Sequence, residues 1–283
     1  MDDQRTDGGD SQKADSSLYQ PCPRGEFFKK SAVKPHRTEG WTNPKCTAEE
    51  LAEGAKKICD AYLEAPEKWE KEGMKTISTD EKTGMQALER GAPDKPMRPG
   101  QPRKQEHEYE RHGTQCLTAN WDVVEGRITS PTIGDTRDEV DFYEHIKRTV
   151  ESDPEVKKWR FILDNLNTHK SELLVLLVAS MVPTSEEDLG AKGKSGILEN
   201  MATRAAFLSN TAHPVHFIYT PKHCSWLNQI EIWFSILAKK LLRRGNFTSK
   251  KDLKEQIERF IAYFNRVLAK PFIWTYGGKP CTA

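Results

Sequence analysis

Glu231 stands where a carboxylate needs a reason. The stretch from Tyr219 to Gly245 puts Trp226, Ile230, Trp233 and Leu237 on one apolar helical face, and Glu231 interrupts the apolar run between Ile230 and Ile232. Ser225, followed three residues later by Asn228, is spaced like a helix N-cap, which predicts a helix from about Ser225 with Asn228 and Glu231 on one side. Two further acids close apolar runs. Asp164 ends the buried-strand pattern of WRFILDN, and Asp80 ends the short strand MKTISTDE, where alternation sends its neighbour Glu81 to the opposite face. Each acid has a plainer reading: an ion pair for Glu231, a strand-ending turn for Asp164 with Asn165, and Glu81 as the rival of Asp80. Carboxylates gathered from distant segments suit a hard cation such as magnesium, which takes oxygen ligands and keeps water in its shell. If the strands carrying Asp80 and Asp164 are neighbours, the acids meet at the carboxyl ends of strands, where open α/β sheets bind ligands.

The elements that would position them follow from periodicity. Thr47 with Glu50 forms a capping box, and Leu51, Ala55, Ile58 and Tyr62 continue it as an amphipathic helix over 48–63, ended by Pro66. Strands are expected at 74–81, 115–124, 126–133, 159–165 and 214–220. Helices are expected from a capping box at Thr136 and Glu139 with Val140, Tyr143, Ile146 and Val150 on one face, over 171–181, from Ser225, and from Ser249. The order β-β-β-α-β-α-β-α predicts an α/β fold, a mixed sheet with helices on its faces. An insert over 184–212 opens with a loop and continues into a helix around 197–208, capping a sheet edge or touching DNA. Its GAKGKSG is no phosphate loop, because Asp188 stands where the pattern needs glycine and no strand precedes it.

Composition narrows the class. The chain of 283 residues is 36% hydrophobic and 30% charged, enough for a real core. The net charge of +1 hides an uneven distribution: 221–270 carries eleven Lys/Arg against four Asp/Glu, which suits a polyanionic partner. Six scattered cysteines without C-x-x-C predict reduced thiols, and His107 with His112 lacks helical metal spacing, so zinc is not expected. The N-terminus lacks a charged-then-apolar leader and LLVLLVASMV is too short to span a bilayer, which predicts a soluble, cytoplasmic protein.

Several words in one order also carry a resemblance. PKHCSWLNQIEIWFSIL, ILDNLNTHKS, STDEKTGMQAL, EYERHGT and AKPFIWTYGGKP resemble the motifs of mariner-like insertion-sequence transposases of the DDE superfamily, from about Arg24 to the C-terminus. The resemblance implies a ribonuclease H-like fold and a bacterial DNA transposase that cleaves DNA strands and transfers them. It makes Asp80, Asp164 and Glu231 the carboxylates for two divalent cations, Mg2+ or else Mn2+. Asn165, His169 and Asn228 match motif positions that could orient a carboxylate, a water or a phosphate, and Arg111 and His112 could meet the scissile phosphate. Each of these also fits a local hydrogen bond or a cross-strand pair. DNA phosphates would be held by Lys222, Lys239, Lys240, Arg243 and Arg244, together with Lys250 and Lys251. Partners implied are transposon ends, target DNA and a second copy of the chain.

The expected organisation is a disordered segment over 1–23, a shortened helix-turn-helix remnant with a linker helix over 24–70, a catalytic domain over 71–270 and a tail over 271–283. A different class of reading treats the chain as an idle or reused remnant that binds DNA or protein. A plain nuclease, indifferent to terminal sequence, is a third.

Overall fold

Five strands, rich in aromatic and β-branched residues, form the centre of the computed structural model, which describes residues 47–222 and 224–276. They are β1 (Met74–Arg90), β2 (Tyr109–Asp122), β3 (Arg127–Gly134), β4 (Lys158–Leu163) and β5 (Val215–Tyr219). Their order across the sheet is β3-β2-β1-β4-β5. β1, β2 and β3 pair antiparallel, while β4 runs parallel to both β1 and β5. The expected ribonuclease H-like order of elements is present, with β1 and β2 much longer than the expected strands. The described residues fall within one compact unit, Pro44–Ala283. The expected disordered segment 1–23, the helix-turn-helix remnant before residue 47 and the tail beyond residue 276 lie outside the described residues.

Alternation along the strands divides the core between the two sheet faces. On β4, Trp159, Phe161 and Leu163 pack with Phe142, Ile146, Leu174 and Val175, residues of helices α2 (Glu139–Glu151) and α3 (Glu172–Ala179). Ile162 and Ile218 face the other way, into a cluster with Ile58 and Tyr62 of α1 (Ala48–Glu72) and with Trp233 and Phe234. The latter two belong to α6 (Ile230–Leu237). The last helix, α7 (Lys250–Val267), closes that face with Leu253, Ile257, Ile261 and Phe264, and Ser249 caps it as expected. The insert contains two short helices, α4 (Glu186–Leu189) and α5 (Met201–Leu208).

Four local expectations are corrected. α1 passes through Pro66 and ends only at Gly73, whose φ of 62° closes the helix with a left-handed cap. Buried Ala61, Tyr62 and Ala65, with the ion pairs Lys71–Glu67 and Lys68–Glu72, carry it past the proline. α1 is therefore packed into the core between Ala55 and Ala65. Gly54 touches the loop before α6 so closely that a Cβ there would lie 2.7 Å from Pro221. The cap of α2 is Asp138 with Asp141, because two acids at that spacing satisfy the first N–H groups directly; Thr136 only donates to Asp141. The buried face of α2 is accordingly Phe142, His145, Ile146 and Thr149, and Val140 is exposed.

The helix expected from Ser225 begins at Ile230. Ser225–Leu227 forms a separate 3-10 turn, and Trp226 leaves the core to meet Tyr276 edge-on at 5.0 Å. Within the expected tail, Phe272 stacks on Trp121 at 4.2 Å, and Trp274 packs on Tyr62 at 4.8 Å. Among the described residues no helix is long and apolar enough to cross a membrane. Cys59 and Cys116 are buried thiols outside any disulfide.

Candidate functional site

β1 and β4 lie side by side with Ser78 opposite Ile162, so Asp80, two residues on, comes level with Asp164, just past the end of β4. Asp80 is nearly buried, while Asp164 and Glu231 are half-buried. Burial first, then the charges of Asp164, Glu81 and Glu231, push the Asp80 carboxyl up to about 7, despite a hydrogen bond from the Glu81 N–H. The charges of Asp164, at the end of β4, and of Glu231, in the first turn of α6, thus bear on Asp80 of β1. The oxygens of these three acids are not drawn into one tight group, as expected for like charges that repel one another. The group of possible ligands that does lie within 4.8 Å among the described residues is Glu89, Glu110 and His112, farther along β1 and β2.

Asn228 ties the loop before α6 to β1. Its amide donates to the Thr79 carbonyl at 2.9 Å and to Asp80 Oδ2 at 3.3 Å, and its oxygen accepts from the Ser78 hydroxyl. The same Ser78 oxygen accepts from the Ile230 N–H at 2.9 Å, at the start of α6. Tyr62 of α1 adds a third tie, donating to the Leu227 carbonyl at 2.9 Å and accepting from the Gln229 N–H at 3.1 Å. Asn228 is thus a buried bridge between the Asp80 strand and the Glu231 helix, and it also ends the 3-10 turn Ser225–Leu227.

Asp164 is held from the other face. His169 Nδ1 lies 2.8 Å from Asp164 Oδ1, and its Nε2 lies 3.1 Å from Glu81 Oε1. Burial opposes a charge on this imidazole, but the bonds to Asp164 and Glu81 outweigh it and push His169 up to about 10. Burial would raise Asp164 as well; the His169 contact and the Leu166 N–H hold it below its ordinary value. Asn165 accepts a hydrogen bond from Lys170.

Sequence reasoning missed several groups beside the acids. Lys170 lies 4.7 Å over the Tyr219 ring, and burial followed by the nearby charge of Lys222 lowers its pKa. The positive charge of Arg137 also bears on Asp164. Lys170 lies inside the word ILDNLNTHKS and Arg137 in no quoted word, but a single Lys or Arg beside an acid has no distinctive spacing that marks a role. Of the expected DNA contacts, Lys222, Lys239, Lys240, Arg243 and Arg244 are exposed. Lys239 and Lys240 project from a π-helical turn, Ala238–Leu242, that continues α6. Lys250 is instead paired with Asp135 at 2.5 Å, and Lys251 approaches Glu255 at 4.0 Å. His112 pairs with Glu89 at 2.8 Å, and Arg111 lies 5.5 Å over the Tyr109 ring, so both have protein partners.

Residues 75–254, well over half of the chain, match the family described as DDE superfamily endonuclease. The chain belongs to the DDE superfamily. The match spans β1 through the start of α7 and includes all three crevice acids. No curated protein matches the chain. Among solved structures, this superfamily member is similar to the crystal structure of the Mos1 mariner paired end complex with Mn, with 14% identity and a TM-score of 0.49 over 85% of this chain. It spans 62% of that Mos1 chain. The crystal structure of the catalytic domain of Mos1 mariner transposase is similar at 11% identity and a TM-score of 0.45, over 78% of this chain and 85% of that one. A structure of the Mos1 transposase catalytic domain and Raltegravir with Mg is similar at 12% identity and a TM-score of 0.43, over 79% and 85%.

Proposed function

We propose that this DDE superfamily member is the catalytic part of a DNA transposase, which cleaves DNA strands and joins the released 3′-hydroxyl to target DNA. The reading is supported by the register that sets Asp80 level with Asp164 at the strand ends and by the Ser78–Ile230 hydrogen bond that ties the start of the Glu231 helix to β1. Asp80, Asp164 and Glu231 would hold two divalent cations, Mg2+ or Mn2+. Their donor set fits: it is all oxygen, and Asp80 carries the surplus of negative charge that a cation relieves. Such a pair of ions, when bound, supplies charge neutralisation and an activated water for phosphodiester displacement.

The chain's own groups do the positioning. Asn228 orients Asp80 through Oδ2 and ties Glu231 to the same strand, while His169 steadies Asp164. Lys170 and Lys222 place positive charge beside the acids, where a phosphate would enter. DNA ends and target DNA are the proposed partners, with two copies of the chain working on paired ends.

The test is cleavage and joining of DNA carrying mariner-type terminal repeats, with Mg2+ or Mn2+. The intact chain is expected to nick and join, and Asp164→Asn to do neither. Binding without cleavage by the intact chain would overturn the catalytic reading in favour of a remnant. DNA affinity should also fall steeply with salt. Lys239→Ala and Lys240→Ala are each expected to reduce the slope of log affinity against log salt by about 0.9, equally for any sequence. An unchanged slope in both removes that turn from the DNA surface.

A further inference from the structure

Glu81 is an acid that the proposed chemistry leaves unused, and its burial is the more notable for that. It follows Asp80 directly on β1, but strand alternation turns it to the opposite face of the sheet. Its side chain is only 5% exposed, and a buried carboxylate is costly unless a partner answers it. That partner is His169, itself fully buried on the 3-10 turn Asn167–Lys170.

We propose that Glu81 is a positioning residue for the metal site: it holds the His169 imidazole, and the imidazole in turn fixes the Asp164 carboxylate. The inference rests on the reading of Asp164 as a metal ligand. Glu81 Oε1 faces Nε2 at 3.1 Å and Asp164 Oδ1 faces Nδ1 at 2.8 Å, so the ring spans the two carboxylates. Nδ1 meets Asp164 twice, as it also lies 3.3 Å from the Asp164 backbone carbonyl oxygen. The Phe142 ring packs against the imidazole with centroids 4.2 Å apart. The turn is held by Tyr219, whose hydroxyl donates to the His169 carbonyl at 2.9 Å. The imidazole is therefore fixed by its packing, its backbone and one carboxylate, which leaves the other carboxylate as the group whose orientation it sets.

Asp164 needs such a brace. It lies beyond the last paired residue of β4, where the ladder no longer holds the chain. Both side-chain contacts found for it among the described residues, from His169 and from the Leu166 N–H at 3.0 Å, fall on Oδ1. Oδ2 is left to meet an ion. Partners that orient a ligand from behind in this way commonly contribute 10- to 100-fold to metal affinity.

The experiment is Mn2+ binding to the full chain, read by the electron paramagnetic resonance signal of free Mn2+, alongside thermal melting. Glu81→Leu removes the acceptor while filling the same space, and is expected to weaken Mn2+ binding by about 10- to 100-fold and to lower the melting temperature, because the buried His169 Nε2 loses its partner. Glu81→Gln keeps an oxygen for Nε2 and is expected to recover affinity to within about 3-fold of the intact chain. If the leucine variant does not fold, Glu81→Ala removes the same acceptor and is read against the same controls. Mn2+ binding that is unchanged on loss of the acceptor, while Asp164→Asn abolishes it, would overturn the role of Glu81 alone. No binding by the intact chain, or equal binding by Asp164→Asn, would overturn the metal-site reading and this inference with it.

Discussion

Asp80→Asn is expected to make the metal-free protein more stable at pH 8 while ending DNA cleavage. The Asp80 carboxyl is pushed from an ordinary 3.8 up to about 7, first by burial and then by the charges of Asp164, Glu81 and Glu231. An acid whose folded pKa exceeds its unfolded one binds more protons folded than unfolded between the two values. Stability therefore falls as pH rises from about 4 to about 7. A shift of about three units sets a ceiling near 4 kcal/mol for what ionised Asp80 costs above that range. Asparagine has no proton to lose. In chelator, intact protein and variant should melt alike only below about pH 4, and the variant should melt several degrees higher at pH 8.

Divalent cation should reverse the order. Mg2+ added at pH 8 is expected to raise the melting temperature of the intact chain and leave the variant where it was, because binding to the folded state stabilises by mass action. Cleavage should drop by roughly a thousandfold or more, since a ligand of the reacting ions is gone. A variant that melts lower than the intact chain at pH 8 in chelator would mean that Asp80 is a stabilising ion-pair partner and the crevice is no ion site. The same trade of stability for a charged site is common where function requires repelling groups to be held together.

How far these features were legible in the sequence depends on whether the signal was local. The strands ending near Asp80 and Asp164 could be read, because runs such as WRFIL have no other comfortable place than a buried sheet. The cap at Ser249 was readable for the same reason, since a serine with an acid three residues on satisfies the helix end by itself. The continuation of α1 through Pro66 was not. It depends on Ala61, Tyr62 and Ala65 finding the face of the sheet, a contact made with residues far along the chain. Trp226 and Asn228 were misread for a related reason. Periodicity assigned both to one helix, whereas hydrogen bonds to Tyr62, Ser78 and Thr79 stop the chain in an extended residue at 228 and delay the helix to Ile230. Glu81 appeared only as a rival to Asp80, because nothing in sequence spacing reveals a histidine 88 residues away.

Asn228→Ala should show how much of the candidate site depends on that delayed helix. Asn228 is fully buried, and alanine would remove the acceptor of Ser78 and the donor to Thr79 and Asp80 together. Loss of these bonds and of the side-chain volume is expected to cost about 2 to 4 kcal/mol, read in denaturant melts. Cleavage should fall by about a hundredfold at saturating metal in the protein that remains folded, because Glu231 follows the broken tie by three residues. Asn228→Asp separates the two roles of the amide. It keeps an oxygen for Ser78 but sets a second carboxylate against Asp80 Oδ2, so its loss of stability should be larger at pH 8 than at pH 5. If both variants melt and cleave like the intact chain, Glu231 is placed by the packing of Ile230, Trp233 and Phe234 alone. The hydrogen-bonded bridge would then be a consequence of the helix position and not its cause.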